Sequence, residues 1–529
     1  MKPIPLDRRK FLLGAGSLVL FAGLQPGRLW AAPEFCGYPF ALGVASGEPA
    51  ADGFVIWTRL APRPLEENGG MPMLGVAVQW DVAEDPGFRR IVRKGEAIAR
   101  PELGHSVHVE VDGLKPSRPY WYRFSAGGQP PSPVGRARTT PAIGEKPKQL
   151  RIGVAGCQHY EAGLYTAYRH LSQEPELDAV FHYGDYIYEG RGKDDKFVID
   201  AAGNRMARQH VGDEIYTLND YRRRYAQYKS DLDLQTAHAA AAFLMTWDDH
   251  EFDNNWAGEN DQDGAPPEVF ALRRAVAMQA WYENMPVRRA QFPTAQGIRM
   301  FRRIDYGRLL RVHLMDTRQY RSKQRCDPSM IGRKPCRPLD EQGPEQIIGD
   351  AQEAWLGEGL KEDFGWHLLA QQVMMMPYRY PENRAAGAIN TDSWSGYPQA
   401  RARVVDLIER RAKGNVIVAT GDVHKHHAGV IPRDPNDLTS KPVAAEFVAT
   451  SIASGGDGSD MPKGWENVLA ENPHNVLFND RRGYQVFDIG RDEWKTSVIA
   501  VDRITEAGGK KSVVAKLAVE RGKPEIDKA

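Results

Sequence analysis

The sequence predicts an α/β domain, its sheet covered on both faces, preceded by a small β-sandwich. Three observations predict it. Before about residue 140, apolar and polar residues alternate in short runs with turn residues between them and no long helical period, as half-buried antiparallel strands do. After a stretch rich in Pro, Gly and Lys, strand-length apolar runs alternate with segments of helical period, the pattern of an α/β layer structure. At 529 residues the chain is too long for one ordinary core, so two domains are expected.

Taken in order, residues 1–32 read as an address. Arg8-Arg9 stands before an apolar run that Gly14, Gly16 and Gly23 interrupt. A twin arginine ahead of a weakly hydrophobic segment marks the twin-arginine (Tat) export route. The run, residues 11–24, falls short of the ~20 residues that a membrane span needs. A periplasmic or secreted product is expected, with the Tat machinery as partner during export and no transmembrane segment afterwards. Ala31 and Ala32 offer small residues for cleavage.

Residues 36–140 are the expected sandwich. Val107, Val109 and Val111 alternate with polar residues, Leu114-Lys115-Pro116-Ser117 turns the chain, and Tyr120, Tyr122 and Phe124 alternate in the next strand. The Gly-Leu-Lys-Pro turn before Tyr-Trp-Tyr-Arg-Phe resembles a fibronectin type III module. Residues 141–148 read as a linker, 149–505 as the α/β domain and 506–529 as a C-terminal tail. Within the α/β domain strands are expected at 150–155, 180–183, 243–247, 309–315, 368–374, 416–419 and 447–449. Helical spacing recurs at 164–171, 220–242 and 401–412.

Composition narrows the function classes. Lys plus Arg and Asp plus Glu both total 69, so no broad basic field exists for nucleic acid or an anionic membrane surface. The arginines of residues 221–225 (Tyr-Arg-Arg-Arg-Tyr) read as a solvated helix face. Cys326 and Cys336 bracket a Pro-, Gly- and Arg-containing loop, the spacing of a short disulfide in an oxidising compartment.

Four of the expected strands run into polar clusters. These are Gly156-Cys157-Gln158-His159, Gly184-Asp185-Tyr186-Ile187-Tyr188-Glu189, Asp248-Asp249-His250-Glu251 with Asn254 and Asn255, and Gly421-Asp422-Val423-His424 with His426 and His427. In an open α/β sheet the carboxyl ends of the strands converge on one rim. Adjacent charges beside an apolar strand are costly unless paired or metal-bound, so a metal site is expected there. Such a site suits phosphoryl transfer, which needs positive charge near the phosphoryl oxygens and an activated water.

The order Gly-Asp-x-x-Tyr, Asp-His-Glu, Gly-Asp-x-His resembles the calcineurin-like and purple acid phosphatase metallophosphoesterases. Asp248-Asp249 before His250, and Asp422 before His424, move the resemblance to the alkaline phosphatase D family. Residues 43–49 (Gly-Val-Ala-Ser-Gly-Glu-Pro), Trp57-Thr58-Arg59, residues 393–397 (Ser-Trp-Ser-Gly-Tyr) and residues 454–458 (Ser-Gly-Gly-Asp-Gly) belong to the same resemblance, which spans nearly the whole mature chain. It implies a metallophosphoesterase-type sandwich, two sheets flanked by helices, behind the fibronectin-like module. It implies a secreted alkaline phosphatase or phosphodiesterase, phospholipase D-like in part of the family, that attacks phosphate esters with a metal-activated hydroxide.

Residue by residue, the resemblance implies that Asp185 bridges metal ions. Cys157, Tyr188 and His424 complete an Fe(III) site, thiolate and phenolate both suiting a Lewis-acidic ion. Ca(II), which prefers hard oxygen ligands, is implied on Asp185, Asp422 and either Asp249 or Asn254, with other divalent metals possible. His250 is implied as a proton donor to substrate or leaving group, with Asp249 beside it in the catalytic set. Two rival readings remain: an exported protein that captures phosphate ligands without turnover, which would have no use for His250, and a different balance between monoesters and diesters, which depends on loops such as 191–214 and 319–337.

Overall fold

The protein is described by a computed structural model covering residues 35–325, 345–379 and 390–529. The expected Tat segment and the Cys326–Cys336 pair lie outside the described residues.

Two large sheets form the centre. In the ten-stranded sheet Gln149–Ala155, Ala179–His182 and Phe243–Met245 run parallel as neighbours. In the seven-stranded sheet Leu310–Leu314, Trp366–Ala370, Val416–Thr420 and Pro442–Val448 do the same. Phe243–Met245 and Val416–Thr420 read as near-continuous apolar runs because both of their faces are buried. Phe181 and Leu244 join Val312, Leu368, Ile417 and Phe447 in the core between the sheets. Their neighbours Val180, Phe243 and Met245 belong to an outer core with the helices Thr166–Ser172, Leu218–Lys229, Leu232–Ala240 and Pro267–Asn284. The far face of the seven-stranded sheet is covered by Gly349–Leu360 and Pro398–Arg411. The layers run helix, sheet, sheet, helix, so the single covered sheet of the first expectation is two sheets back to back.

The helix expected over 220–242 is two. Asp231 interrupts it, its Oδ1 accepting from the backbone N–H of Asp233 at 3.0 Å and Leu234 at 3.3 Å, which caps the second helix. The arginine stretch within the first is not a solvated face. Arg222 and Arg224 are buried; Arg222 Nη2 lies 2.6 Å from Glu283, while Arg224 donates to the carbonyls of Tyr188 and Gly190.

The N-terminal region is a sandwich, with a core that includes Phe54, Ile56, Val78, Val82, Tyr122 and Phe124. One of its sheets is four-stranded, and the other three strands, Val44–Ala50, Gly53–Arg59 and Ser106–Val111, continue into the ten-stranded sheet. The join is a parallel pairing of Gly47 with Phe243. The boundary expected at 141–148 is therefore crossed by a continuous sheet. Trp57-Thr58-Arg59 locks it: Trp57 Nε1 donates to the Glu283 carbonyl at 2.9 Å, and the buried Arg59 donates to the carbonyls of Gly104 at 2.9 Å and Arg222 at 3.1 Å. Residues 506–529 likewise are no loose tail. Lys511–Glu520 pairs antiparallel with Glu493–Val501 and places Leu517 and Val519 in the core between the sheets.

Candidate metal centre

Four loops that follow parallel strands meet at one end of the two sheets. Three come from the ten-stranded sheet and carry Cys157, Asp185 and Asp249; the fourth leaves Val416–Thr420 of the other sheet and carries Asp422 and His424. They pack backbone to backbone, with Cys157 N–H donating to Gly184 O and Gln158 N–H to Asp185 O, both at 3.0 Å. The ring of Tyr183 lies between Gly156 and Gly421, where an added Cβ would come within 2.4 and 2.1 Å of it. That close approach is why glycine precedes Cys157 and Asp422. Cys157, Asp185, Asp422 and His424 all have positive φ, between 49 and 65°, a strained region for residues with a Cβ that clusters at functional sites.

Asp185 stands at the middle. Its Oδ2 accepts from Tyr188 Oη at 2.9 Å and Cys157 Sγ at 3.3 Å, while its Oδ1 accepts from the His250 backbone N–H at 3.3 Å. Tyr188 Oη lies 3.2 Å from His424 Nε2, whose Nδ1 lies 3.1 Å from Ser454 Oγ. Ligand atoms within 4.8 Å of one another form three groups: Cys157, Asp185 and His424; Asp185, Asp249 and His250; Asp248, Asp249 and Asp422. Asp185 belongs to the first two.

All of the expected site residues except Cys157 line one cavity of about 1280 Å³; Cys157 lies beneath it, under Asp185. Asn254 is on the wall, its amide donating to Gln262 Oε1 and its backbone N–H to Glu189 Oε1. His250 is partly exposed to the cavity, with Nδ1 2.7 Å from Glu189 Oε2 and its ring stacked on Tyr188 at 4.1 Å.

A model of the PhoD-like phosphatase matches residues 152–498, and a model of the PhoD-like phosphatase N-terminal domain matches residues 27–141. The chain belongs to the PhoD-like phosphatase family. It is 44% identical over 528 residues to alkaline phosphatase D of Bacillus subtilis (strain 168), which covers 97% of this chain and 88% of that protein. A solved structure of PhoD matches it with a TM-score of 0.87 and 43% identity, over 94% of this chain and 93% of that one. As a PhoD-like phosphatase the chain is a hydrolase of phosphate esters.

In this PhoD-like phosphatase the electrostatics of the rim follow from crowding. Burial, then Asp249, pushes the Asp185 carboxyl well above the usual range. Burial and Asp185 do the same to the Cys157 thiol and the Tyr188 phenol. Asp422 is raised by burial and Asp248. Burial opposes the charge of Asp249 too, but Arg318 and then His250 hold that carboxyl below its ordinary value. His250 goes the other way: burial lowers it, and Glu189, Asp185 and Asp249 together raise it well above an ordinary imidazole. A bound cation reverses such shifts for acids, thiols and phenols, since it favours their charged forms.

Several residues that shape the site were given no role in it from the sequence. Glu251 is wholly buried and accepts from the backbone N–H of Asp185 at 3.0 Å, Tyr186 at 2.6 Å and Asp248 at 2.9 Å, tying two of the loops together. Arg224 holds the Tyr188–Gly190 segment by its carbonyls. Arg318 sits among Asp248, Asp249, Asp392 and Asp422. Its signal was the same as that of the other loops: Asp316-Thr317-Arg318 follows the strand Leu310–Leu314. The motif at 393–397 forms the short turn Trp394–Gly396 directly after Asp392, which it presents to Arg318 at 2.8 Å.

Proposed function

We propose that this PhoD-like phosphatase is an exported, metal-dependent phosphoesterase that hydrolyses phosphomonoesters, phosphodiesters or both, with Asp185 bridging two metal positions. The observation that carries this is the division of Asp185 between two donor groups, Oδ2 toward Cys157, Tyr188 and His424 and Oδ1 toward the loop of Asp249 and His250. The donor set fits the metals that the resemblance implied. Thiolate, phenolate, imidazole and carboxylate suit Fe(III), and carboxylates suit Ca(II). Between Asp249 and Asn254, our reading takes Asp249 as the Ca(II) ligand, because its Oδ1 makes no hydrogen bond among the described residues, whereas the Asn254 amide is engaged by Gln262.

When bound, the metals supply positive charge to the phosphoryl oxygens and an activated water. The chain's own residues do the rest. Asp185, Tyr188 and Glu251 keep the loops in register, and Ser454 orients His424 through Nδ1. Glu189 holds His250 Nδ1, leaving Nε2 as the ring atom that can give a proton to the departing oxygen. The cavity exceeds the 300–1,000 Å³ usual for small ligands, and Lys193, Lys196 and Lys425 line it, which suits an anionic ester with a substantial organic group. Assays on matched monoester and diester substrates, before and after metal stripping and readdition, test the reading. Activity that ignores the metals contradicts it.

A further inference from the structure

The group formed by Asp248, Asp249 and Asp422 differs from the other two, because a side chain already reaches it. Arg318 is wholly buried. Its Nε lies 2.6 Å from Asp248 Oδ1, its Nη1 2.8 Å from Asp392 Oδ1, and its Nη2 3.4 Å from Asp249 Oδ1 and 3.7 Å from Asp422 Oδ1. Four carboxylates from three separate segments thus face one guanidinium. A second arginine, Arg321, shares Asp392 at 2.7 Å. Arg318 Nη2, Asp248 Oδ2 and Asp249 Oδ1 make no hydrogen bond among the described residues, so Nη2 meets Asp249 and Asp422 as a charge at a distance rather than through close bonds.

We propose that Arg318 is a resident cation in the place that a further metal ion would take among Asp248, Asp249, Asp392 and Asp422, confining the metals to the Asp185 side. The inference rests on the metal reading above for that side. An arginine stays protonated in proteins and its planar fork can meet several carboxylates at once. A charge so placed offsets the repulsion of the buried Asp248, Asp249 and Asp392 and the partly exposed Asp422 whether or not metals are bound. Asp249 accepts from the Asn255 backbone N–H through Oδ2, so its Oδ1, 3.4 Å from Arg318, is the oxygen left for the cavity that Asp249 and Asp422 line. Arg318 is thereby a positioning residue: it acts through Asp249 and Asp422.

The test compares Arg318→Met and Arg318→Lys with the parent, counting metal ions per chain by mass spectrometry after equilibration with Ca(II), and measuring Tm with and without a chelator. Arg318→Met is expected to hold one more divalent ion per chain than the parent and to lose at least twice as much Tm to the chelator. Arg318→Lys, which keeps the charge, is expected to keep the parent count. If Arg318→Met does not fold, the double variant with Asp248→Asn removes one negative charge along with the positive one and is expected to recover soluble protein; failure to recover it overturns the proposal. A metal-loaded parent matched by Arg318→Met in ion count and chelator response overturns this inference alone. A parent that holds no metal contradicts the underlying metal reading, and this inference with it.

Discussion

Glu189 and His250 act as one unit: Glu189 Oε2 lies 2.7 Å from His250 Nδ1, and the same carboxylate anchors the Asn254 backbone through Oε1 at 2.9 Å. If His250 donates the proton to the leaving group, its loss must matter most where the leaving group is a poor one. His250→Asn is expected to lower kcat by about 10²- to 10⁴-fold on alkyl esters and far less on nitrophenyl esters. Glu189→Gln, which keeps a hydrogen-bond acceptor but not the charge, is expected to show the same trend with smaller losses. A series of esters of graded leaving-group acidity measures this, and equal losses across the series would remove His250 from the proton-donor role.

Cys157 and Tyr188 set the expected metal apart. A phenolate bound to Fe(III) absorbs visible light by charge transfer, so the purified protein is expected to be coloured and Tyr188→Phe to bleach it. An ordinary thiol has a pKa of about 8.5, and a coordinated one is held as thiolate. Cys157 is therefore expected to resist alkylation in the metal-loaded protein and, under denaturing conditions after stripping, to react. A colourless, fully active protein containing only zinc or calcium would contradict the iron assignment.

The twin arginine makes a separate expectation. Replacing Arg8 and Arg9 together with lysine is expected to leave precursor in the cytoplasm, read by fractionation and immunoblotting. Unchanged export of that variant would sink the Tat assignment.

Acid stability should depend on a pair of buried histidines on neighbouring strands, His313 of Leu310–Leu314 and His367 of Trp366–Ala370. His313 Nε2 and His367 Nδ1 are 3.2 Å apart and both side chains are buried. Burial, then Arg311, lowers His367 to about 4, and burial with His367 pushes His313 well below its ordinary value. An unfolded histidine titrates near 6.5. Between about pH 6.5 and 4 the unfolded chain therefore binds more protons than the folded one, so the stabilisation is complete above that window and is lost as pH falls through it. For His367 the difference corresponds to at most about 3 kcal/mol. Tm is expected to fall from pH 7 to pH 4.5, and His367→Gln to show a shallower fall. An identical slope in parent and variant would contradict the assignment.

What was legible in the sequence was local. Asp185, Asp249, His250, Asp422 and His424 could be found because each follows an apolar strand run at once, and strand ends share a rim. Cys157 could be found for the same reason, although it lies under the cavity rather than in its wall. The pairing of Gly47 with Phe243 could not, because nothing local to either residue records a contact across so much chain. Arg222 and Arg224 misled because a run of arginines looks solvated when its partners, Glu283 and the carbonyls of Tyr188 and Gly190, are remote in sequence. Arg318 was passed over as a single basic residue in a loop, though four carboxylates await it in space. The helix Pro267–Asn284 has exposed Val269 and Leu272 beside buried Phe270 and Arg273, which blurs the apolar stripe that periodicity relies on.

The account turns on Asp185, which joins the group of Cys157 and His424 to that of Asp249 and His250. The most direct measurement is metal content per chain of the parent and of Asp185→Asn, taken alongside turnover and a circular dichroism check of the fold. The account predicts a folded variant that has lost bound metal and at least about 10³-fold in turnover, in line with removing transition-state charge stabilisation. A folded Asp185→Asn with parent-like metal content and turnover would contradict it.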